Sequence, residues 1–313
     1  MDQWAAFHLF HAGDLDDVLL QVVKPVIAEV QTENPTLNWF FLRYWNGGPH
    51  VRLRVRGVTP NRAAEIGSAL QARLIALGTT ALDAHAYAQV CSRMDQMRAD
   101  LPESSSGLLE PCERLATGGT VQRRNYQFDA GKYGNDRVSG AVEEAFCTSS
   151  VLSIRALPVI AQARQSRSGV AALFIASGAR ALAGSHLERA DFLDEIATQS
   201  ADLMAEIPAP GAVDLPPATL VTVAKGDDPI QTTGSMLAAL LIVWHAACEK
   251  LVARVDAELA KQQSRLAAQA LLMDAQHLLM NRLGVPTRIE PHLLRLVAAA
   301  LRHEPTYLNR GSD

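Results

Sequence analysis

Between Trp39 and Gly57 the chain reads WFFLRYWNGGPHVRLRVRG. Side chains alternate across an extended strand, so His50, Arg52, Arg54 and Arg56 share one face while Val51, Leu53 and Val55 share the other. The apolar set needs a core, which leaves the cations on the opposite face. Trp39, Phe40, Phe41, Tyr44 and Trp45 lie close by in the sequence. A guanidinium grips a carboxylate through paired hydrogen bonds, and walls that exclude water strengthen each of them. The row therefore suits a carboxylate-binding pocket. The same pattern also fits an exposed basic strand, or an edge strand kept from pairing by its charge.

A second group capable of chemistry lies near the C-terminus, in ALLMDAQHLLMNRLG. At helical spacing Ala270, Met273, His277, Met280 and Gly284 form one stripe, with Asn281 a turn beyond the histidine. This predicts a buried imidazole. It reads either as a hydrogen-bonded core residue or as a general acid or base.

These residues need elements to hold them. Trp4 to Ala12 has strand character, and from Asp14 to about Glu33 apolar residues recur at helical spacing. Strands at 39–45 and 50–56 are joined by Asn46-Gly47-Gly48-Pro49, whose glycines suit a tight reversal. Pro60 opens a helix that runs to Gly78, and His85 to Ser92 is expected as a fourth strand. The order βαββαβ predicts an α+β fold: an antiparallel sheet with helices on one face, followed by a mostly helical C-terminal half. PESSSG, inside a weakly patterned insertion from 93 to 121, reads as a loop, and VQRRNYQFDAGKYG offers a further strand. Helices are expected over 136–165, 168–190, 191–205, 232–263, 266–283 and 289–302, with 208–229 as a connection. The halves divide as 1–135 and 136–313, forming one catalytic unit. MLAALLIVWHAACEKLVARV is expected to be the central buried helix.

Composition narrows the function classes. A formal charge of −4 and 48% hydrophobic residues describe a globular protein without a broad basic surface for nucleic acid. The N-terminus lacks a secretory signal, and the apolar run 236–248 is too short to span a bilayer, so a cytoplasmic protein without a membrane anchor is expected. Cys91, Cys112, Cys147 and Cys248 have no metal-ligand spacing, and neither glycine pair sits in a phosphate-loop context. No metal or cofactor is expected.

Taken together, LRYWNGGPHVRLRV, the Ser149-Ser150 pair after Glu143 and Glu144, and HLLMNRLG resemble the C-terminal domain of lantibiotic dehydratases, also found as a separate thiopeptide-type bacteriocin biosynthesis protein. The resemblance spans nearly the whole chain. It implies tailoring of a ribosomally made precursor peptide, leader and core, alongside a partner that glutamylates serine or threonine from glutamyl-tRNA. This domain would then expel glutamate, leaving a dehydroamino acid. Arg52 and Arg54 match the family's paired arginines and His277 its catalytic histidine. His50, Tyr44, Lys132, Asn281 and Arg282 would line the substrate. Where the family leads into Arg-Tyr-Gly-Gly, this chain has YQFDAGKYGN, so an arginine is missing there, with Lys132, Arg123 or Arg124 as substitutes.

That departure keeps a second reaction open. Some stand-alone relatives join two dehydroalanines in a formal [4+2] cycloaddition that builds the thiopeptide pyridine and releases the leader, a reaction that depends on positioning. A third reading is a non-catalytic subunit that binds the leader at a sheet edge. Assembly as a homodimer is also left open.

Overall fold

A computed structural model describes residues 4–78, 83–100, 110–133, 136–162, 166–202, 215–259 and 265–303. The expected PESSSG loop and the start of the 208–229 connection lie outside the described residues. The chain divides into two units, Met1–Phe128 and Asp129–Asp313.

In the first unit, β1 (Trp4–Phe10), β2 (Trp39–Tyr44), β3 (His50–Arg56) and β4 (Thr120–Arg124) form one antiparallel sheet in the order β2-β3-β1-β4. Gly47 and Gly48 make the β2–β3 turn with φ of 83° and 105°, values that side-chain-bearing residues rarely adopt. The helix after β1 starts as α1 (Leu15–Asp17), capped by the Asp14 side chain. It passes through a π-helical turn at Val18–Val23 and continues as α2 (Lys24–Glu33). Helix α3 (Pro60–Leu77) starts at the Thr59 cap. It packs on β1 and β4. At Gly67 a Cβ would stand 3.2 Å from the Phe7 ring, so glycine permits that approach. Phe7, Leu9, Phe41, Val51, Leu53 and Val55 are fully buried, as the alternation requires.

The expected fourth strand at 85–92 is instead part of helix α4 (Ala84–Asp100). The Asp83 carboxylate accepts the backbone N–H groups of His85 and Ala86 at 2.8 and 3.2 Å, and the alanines, glutamines and methionines that follow favour helix. The fourth strand is β4, the one offered by VQRRNYQFDAGKYG, and it joins the sheet beside β1.

The second unit is helical: α5 (Ala130–Tyr133), α6 (Asp136–Gln162), α7 (Arg167–Ala179), α8 (His186–Asp202), α9 (Pro217–Lys225), α10 (Ile230–Thr233), α11 (Ser235–Leu259), α12 (Arg265–Leu283) and α13 (Glu290–Arg302). Two boundaries differ from expectation, and each carries a recognisable signal. The helix expected over 168–190 breaks before Ser185-His186-Leu187-Glu188, a capping box in which Ser185 N–H donates to Glu188 Oε2 at 2.7 Å and Glu188 N–H to Ser185 Oγ at 3.3 Å. Helix α9 occupies part of the expected connection, with proline in its first turn and Gly226 in a left-handed cap.

The central helix is α7, whose residues 169–179 are all buried, and not α11. Glycine and alanine along α7 let α9, α11, α12 and α13 approach closely; at Gly178 a Cβ would meet Trp244 Nε1 at 2.9 Å. Helix α11 packs through Leu237, Leu241, Trp244, Cys248 and Leu251 but leaves Met236, Ile242 and Val243 exposed. Apolarity all round was not enough to bury it, because burial needs neighbours on every side. By length and composition α6 and α11 would also pass as membrane spans, and here they pack on each other.

Candidate active site

The arginine face of the first unit is set by register. Antiparallel pairing places His8 opposite Arg52, Phe10 opposite His50, Trp4 opposite Arg56, and Ala6 opposite Arg54. On the other side Phe40 faces Arg54, Leu42 faces Arg52 and Tyr44 faces His50. Opposite Ala6 on β4 stands Arg124, so Arg124 joins this face, while Arg123 turns to the helix side and lies 4.8 Å over the Phe7 ring. Of the two arginines offered as substitutes, the fold selects Arg124 for this face.

The cations are gripped unequally. Arg52 lies over the Tyr44 ring, 3.3 Å from its centroid, and donates Nε–H to His50 Nε2 at 3.3 Å. Its Nη2 lies 3.9 Å from Glu110 Oε2, and Tyr44 OH donates to the same oxygen at 2.7 Å. Burial and the Glu110 hydrogen bond push the Tyr44 phenol up to about 12. Arg54 is deeper, 7% exposed, and donates to His8 Nε2 at 3.2 Å and to the Leu53 carbonyl at 3.1 Å. Among the described residues no carboxylate pairs with it. Burial, with Arg52 beside it, lowers its pKa to about 10.

The imidazoles complement the guanidiniums. His50 donates Nδ1–H to the Gly48 carbonyl at 2.8 Å, which leaves Nε2 to accept from Arg52. Burial and the neighbouring arginines lower His50 to about 4 and His8 to about 2, so both are neutral at pH 7. Their rings stack with centroids 4.8 Å apart. Trp4, Phe40 and Tyr126 form an edge-to-face triangle, and the Arg54 guanidinium lies 5.6 Å from the Tyr126 ring. Aromatic walls were expected, but Trp4 and Tyr126 come from outside the hairpin.

Sequence reasoning missed the segment 110–117, which crosses the hairpin turn. Asn46, buried, donates to the Pro111 carbonyl at 2.9 Å and accepts the Glu113 N–H at 2.7 Å. Ala116 N–H donates to the Gly47 carbonyl at 2.8 Å. Tyr87 on α4 accepts the Gly47 N–H at 2.6 Å and donates to the Glu113 carbonyl at 2.9 Å. Residue separations of 26 or more leave no local pattern that would reveal these contacts. The same region brings Cys91 and Cys112 into hydrogen-bonding contact, and burial with that contact pushes the Cys112 thiol up to about 12.

In the second unit, His277 is 36% exposed at its side chain, contrary to the expected burial. The open stripe of α12 runs through Ala270, Asp274, His277, Asn281 and Gly284, while Met273 and Met280 turn inward. The assumed face was one position off, because hydrophobic residues surround α12 on several sides. His277 Nδ1 is 2.7 Å from Glu290 Oε2 at the start of α13. With Nδ1–H held by that carboxylate, Nε2 is the nitrogen left for proton transfer, the arrangement of a histidine–carboxylate dyad. Lys132 Nζ lies 3.9 Å from Asp274, one turn before His277. Burial raises the Asp274 carboxyl, partly offset by Lys132 and His277. The fold thus gathers Lys132, Asp274, His277 and Glu290.

Arg282, expected at the substrate, is fully buried: it donates Nε–H to Ser150 Oγ at 3.0 Å and lies 5.2 Å over the Phe146 ring. Burial lowers it to about 9. Its position ties α12 to α6, which gives Ser150 of the Ser149-Ser150 pair a structural role: Ser150 hydrogen-bonds back to the Phe146 carbonyl at 2.8 Å while receiving Arg282. Asn281 is half-buried on the open stripe. No group of three or more metal-ligating side chains occurs among the described residues.

No curated protein sequence matches this chain. Among solved structures it is similar to the pyridine synthase TbtD from thiomuracin biosynthesis, with TM-score 0.67 and 18% identity over 96% of this chain and 97% of that one. It is also similar to the tRNA-dependent lantibiotic dehydratase MibB from Microbispora sp. 107891, with TM-score 0.62 and 20% identity over 95% of this chain but 28% of MibB. At these identities the similarity is one of fold. The family description "Lantibiotic biosynthesis dehydratase C-term" matches residues 4–301. With the arginine-bearing sheet and the helical half both inside that match, the chain belongs to the lantibiotic dehydratase C-terminal family.

Proposed function

We propose that this protein is a lyase that removes glutamate from glutamylated serine or threonine residues of a ribosomally made precursor peptide, acting in the cytoplasm downstream of a glutamyl-tRNA-dependent partner. The observation that carries this reading is Arg54: a nearly buried guanidinium, beside a second one, with neutral histidines and no carboxylate of its own among the described residues. A buried cation left without a counter-charge is costly, and a site that tolerates one is built for an arriving anion. Glutamate leaving through one carboxylate while carrying a second is such an anion.

In this reaction a base takes the peptide Cα proton, the Cβ–O bond breaks, the Cα–Cβ double bond forms and the glutamate carboxylate departs with the electron pair. His277, oriented through Glu290, is assigned the proton. Arg52 and Arg54 are assigned the charge on the departing group, which preorganised donors stabilise most effectively where water is excluded. Because His8 and His50 keep their accepting nitrogens turned to arginine N–H groups, they orient cations and are not assigned as bases.

One observation favours the second reading, pyridine formation. Glu110 already sits at Arg52, and a site whose outer cation has an internal counter-ion does not require an anionic substrate. Mass spectrometry separates the two. The purified protein is incubated with a glutamylated precursor and, separately, with a fully dehydrated one. Loss of glutamic acid from the first supports elimination; a shortened macrocycle from the second, with the first untouched, replaces it with cycloaddition.

A further inference from the structure

The carboxylate of Glu110 stands where an external carboxylate would be expected to bind. It accepts the Tyr44 hydroxyl at 2.7 Å and lies 3.9 Å from Arg52 Nη2, on the guanidinium that sits over the Tyr44 ring. The segment behind it is fixed to the hairpin turn by Asn46, Gly47 and Tyr87, so the carboxylate is delivered to this position by the backbone. Its own side chain is 58% exposed, however, while that of Arg52 is 18% exposed. An anchored backbone with a solvated side chain suits a group that can swing away, and an exposed ion pair is weak enough to be displaced. Arg54, deeper and without a carboxylate partner among the described residues, is left open.

We propose that Glu110 is an internal competitor that selects for dicarboxylate ligands. One ligand carboxylate takes Arg54 directly, and the second displaces Glu110 from Tyr44 and Arg52. The return of Glu110 then weakens the hold on free glutamate. A monocarboxylate fills the Arg54 position alone and leaves Glu110 in place. This inference rests on the glutamate-elimination reading, and its test is independent of turnover.

The experiment is calorimetric titration of the full chain and of Glu110→Gln with L-glutamate and, separately, with acetate. With the ion pair gone and the Tyr44 hydrogen bond weakened to one with a neutral amide oxygen, glutamate should bind tighter by about three- to tenfold, with acetate changed less than about twofold. Glutamate affinity that is unchanged, weaker or unmeasurable in both proteins overturns the proposal. So does equal tightening of both ligands, which would reflect only the removal of a negative charge. If the wild type binds glutamate and the variant tightens it, yet no glutamate leaves a glutamylated peptide, the elimination reading fails while the role of Glu110 stands. Where elimination holds, the glutamylated peptide carries one free carboxylate beside its ester, so its KM changes less than about twofold in the variant while inhibition by released glutamate strengthens about three- to tenfold; product inhibition that is unchanged overturns the competitor role.

Discussion

Replacing Arg54 with methionine should stabilise the protein while abolishing its activity. The guanidinium is 7% exposed, and burial with the neighbouring Arg52 lowers its pKa from 12.5 to about 10. At about 1.4 kcal/mol per unit, the drop corresponds to roughly 3 kcal/mol of unfavourable charge burial. Because a basic group with a depressed folded pKa is charged in both states below about pH 10, the full cost is present at neutral pH, and stability recovers only above that. Methionine fills a similar volume without the charge. It leaves His8 Nε2 and the Leu53 carbonyl without their donor, at about 1 kcal/mol each. The balance is a stabilisation of about 1 kcal/mol, a rise of about 2–6 °C in Tm. Urea unfolding followed by circular dichroism measures the first effect and mass spectrometry of glutamate release the second. Millimolar glutamate should raise the Tm of the wild type and not of the variant, since only a protein that binds the ligand gains from it. A variant that is less stable by more than about 1 kcal/mol yet turns over normally would refute the reasoning, since Arg54 would then be a structural cation.

Loss of the proton-transfer group is a separate matter: His277→Ala, at a partly exposed position, should keep the fold and reduce turnover by about a hundred- to ten-thousand-fold, read by single-turnover mass spectrometry. His8 and His50 predict acid sensitivity in the first unit. Each is harder to protonate folded than unfolded, so the unfolded chain binds more protons below about pH 6.5 and stability falls as pH drops from there towards 4 for His50 and 2 for His8. His50→Gln should flatten that slope by up to about 1 kcal/mol per pH unit between about pH 6 and 4, measured by urea midpoints along a pH series. Gly178→Ala would press a methyl group to within 2.9 Å of Trp244 Nε1 and 3.0 Å of Gln276 Oε1. Chemical denaturation should register a loss of about 1–3 kcal/mol.

The elements nearest the arginines were legible because their signals are local. Alternation at 50–56, two glycines in the turn and the proline at the start of α3 each act within a few residues. Two further signals were equally local and went unread: the Ser185–Glu188 capping box and the proline-to-glycine frame of α9. The segment 85–92 misled because alternation over eight residues resembles a strand, whereas the Asp83 cap and helix-forming composition decide for a helix. On α12 the stripe was misjudged by one position, since apolar residues on several sides leave the direction of the core undetermined by periodicity.

By itself the sequence determined that one strand face carries His50, Arg52, Arg54 and Arg56, because a period of two admits no other arrangement once the strand forms. It also determined that a histidine sits on the last long helix but one. Tertiary structure alone decided what those groups are chemically. Strand register brought His8 and Ala6 against the arginines and Trp4 and Phe40 around them, and the segment after β4 added Tyr126, lowering Arg54 and silencing both histidines through desolvation. Chain reversals brought Glu110 to Arg52 and Glu290 to His277. Charge, burial and hydrogen-bond partners are properties of a neighbourhood, and residues distant in the chain become neighbours only on folding.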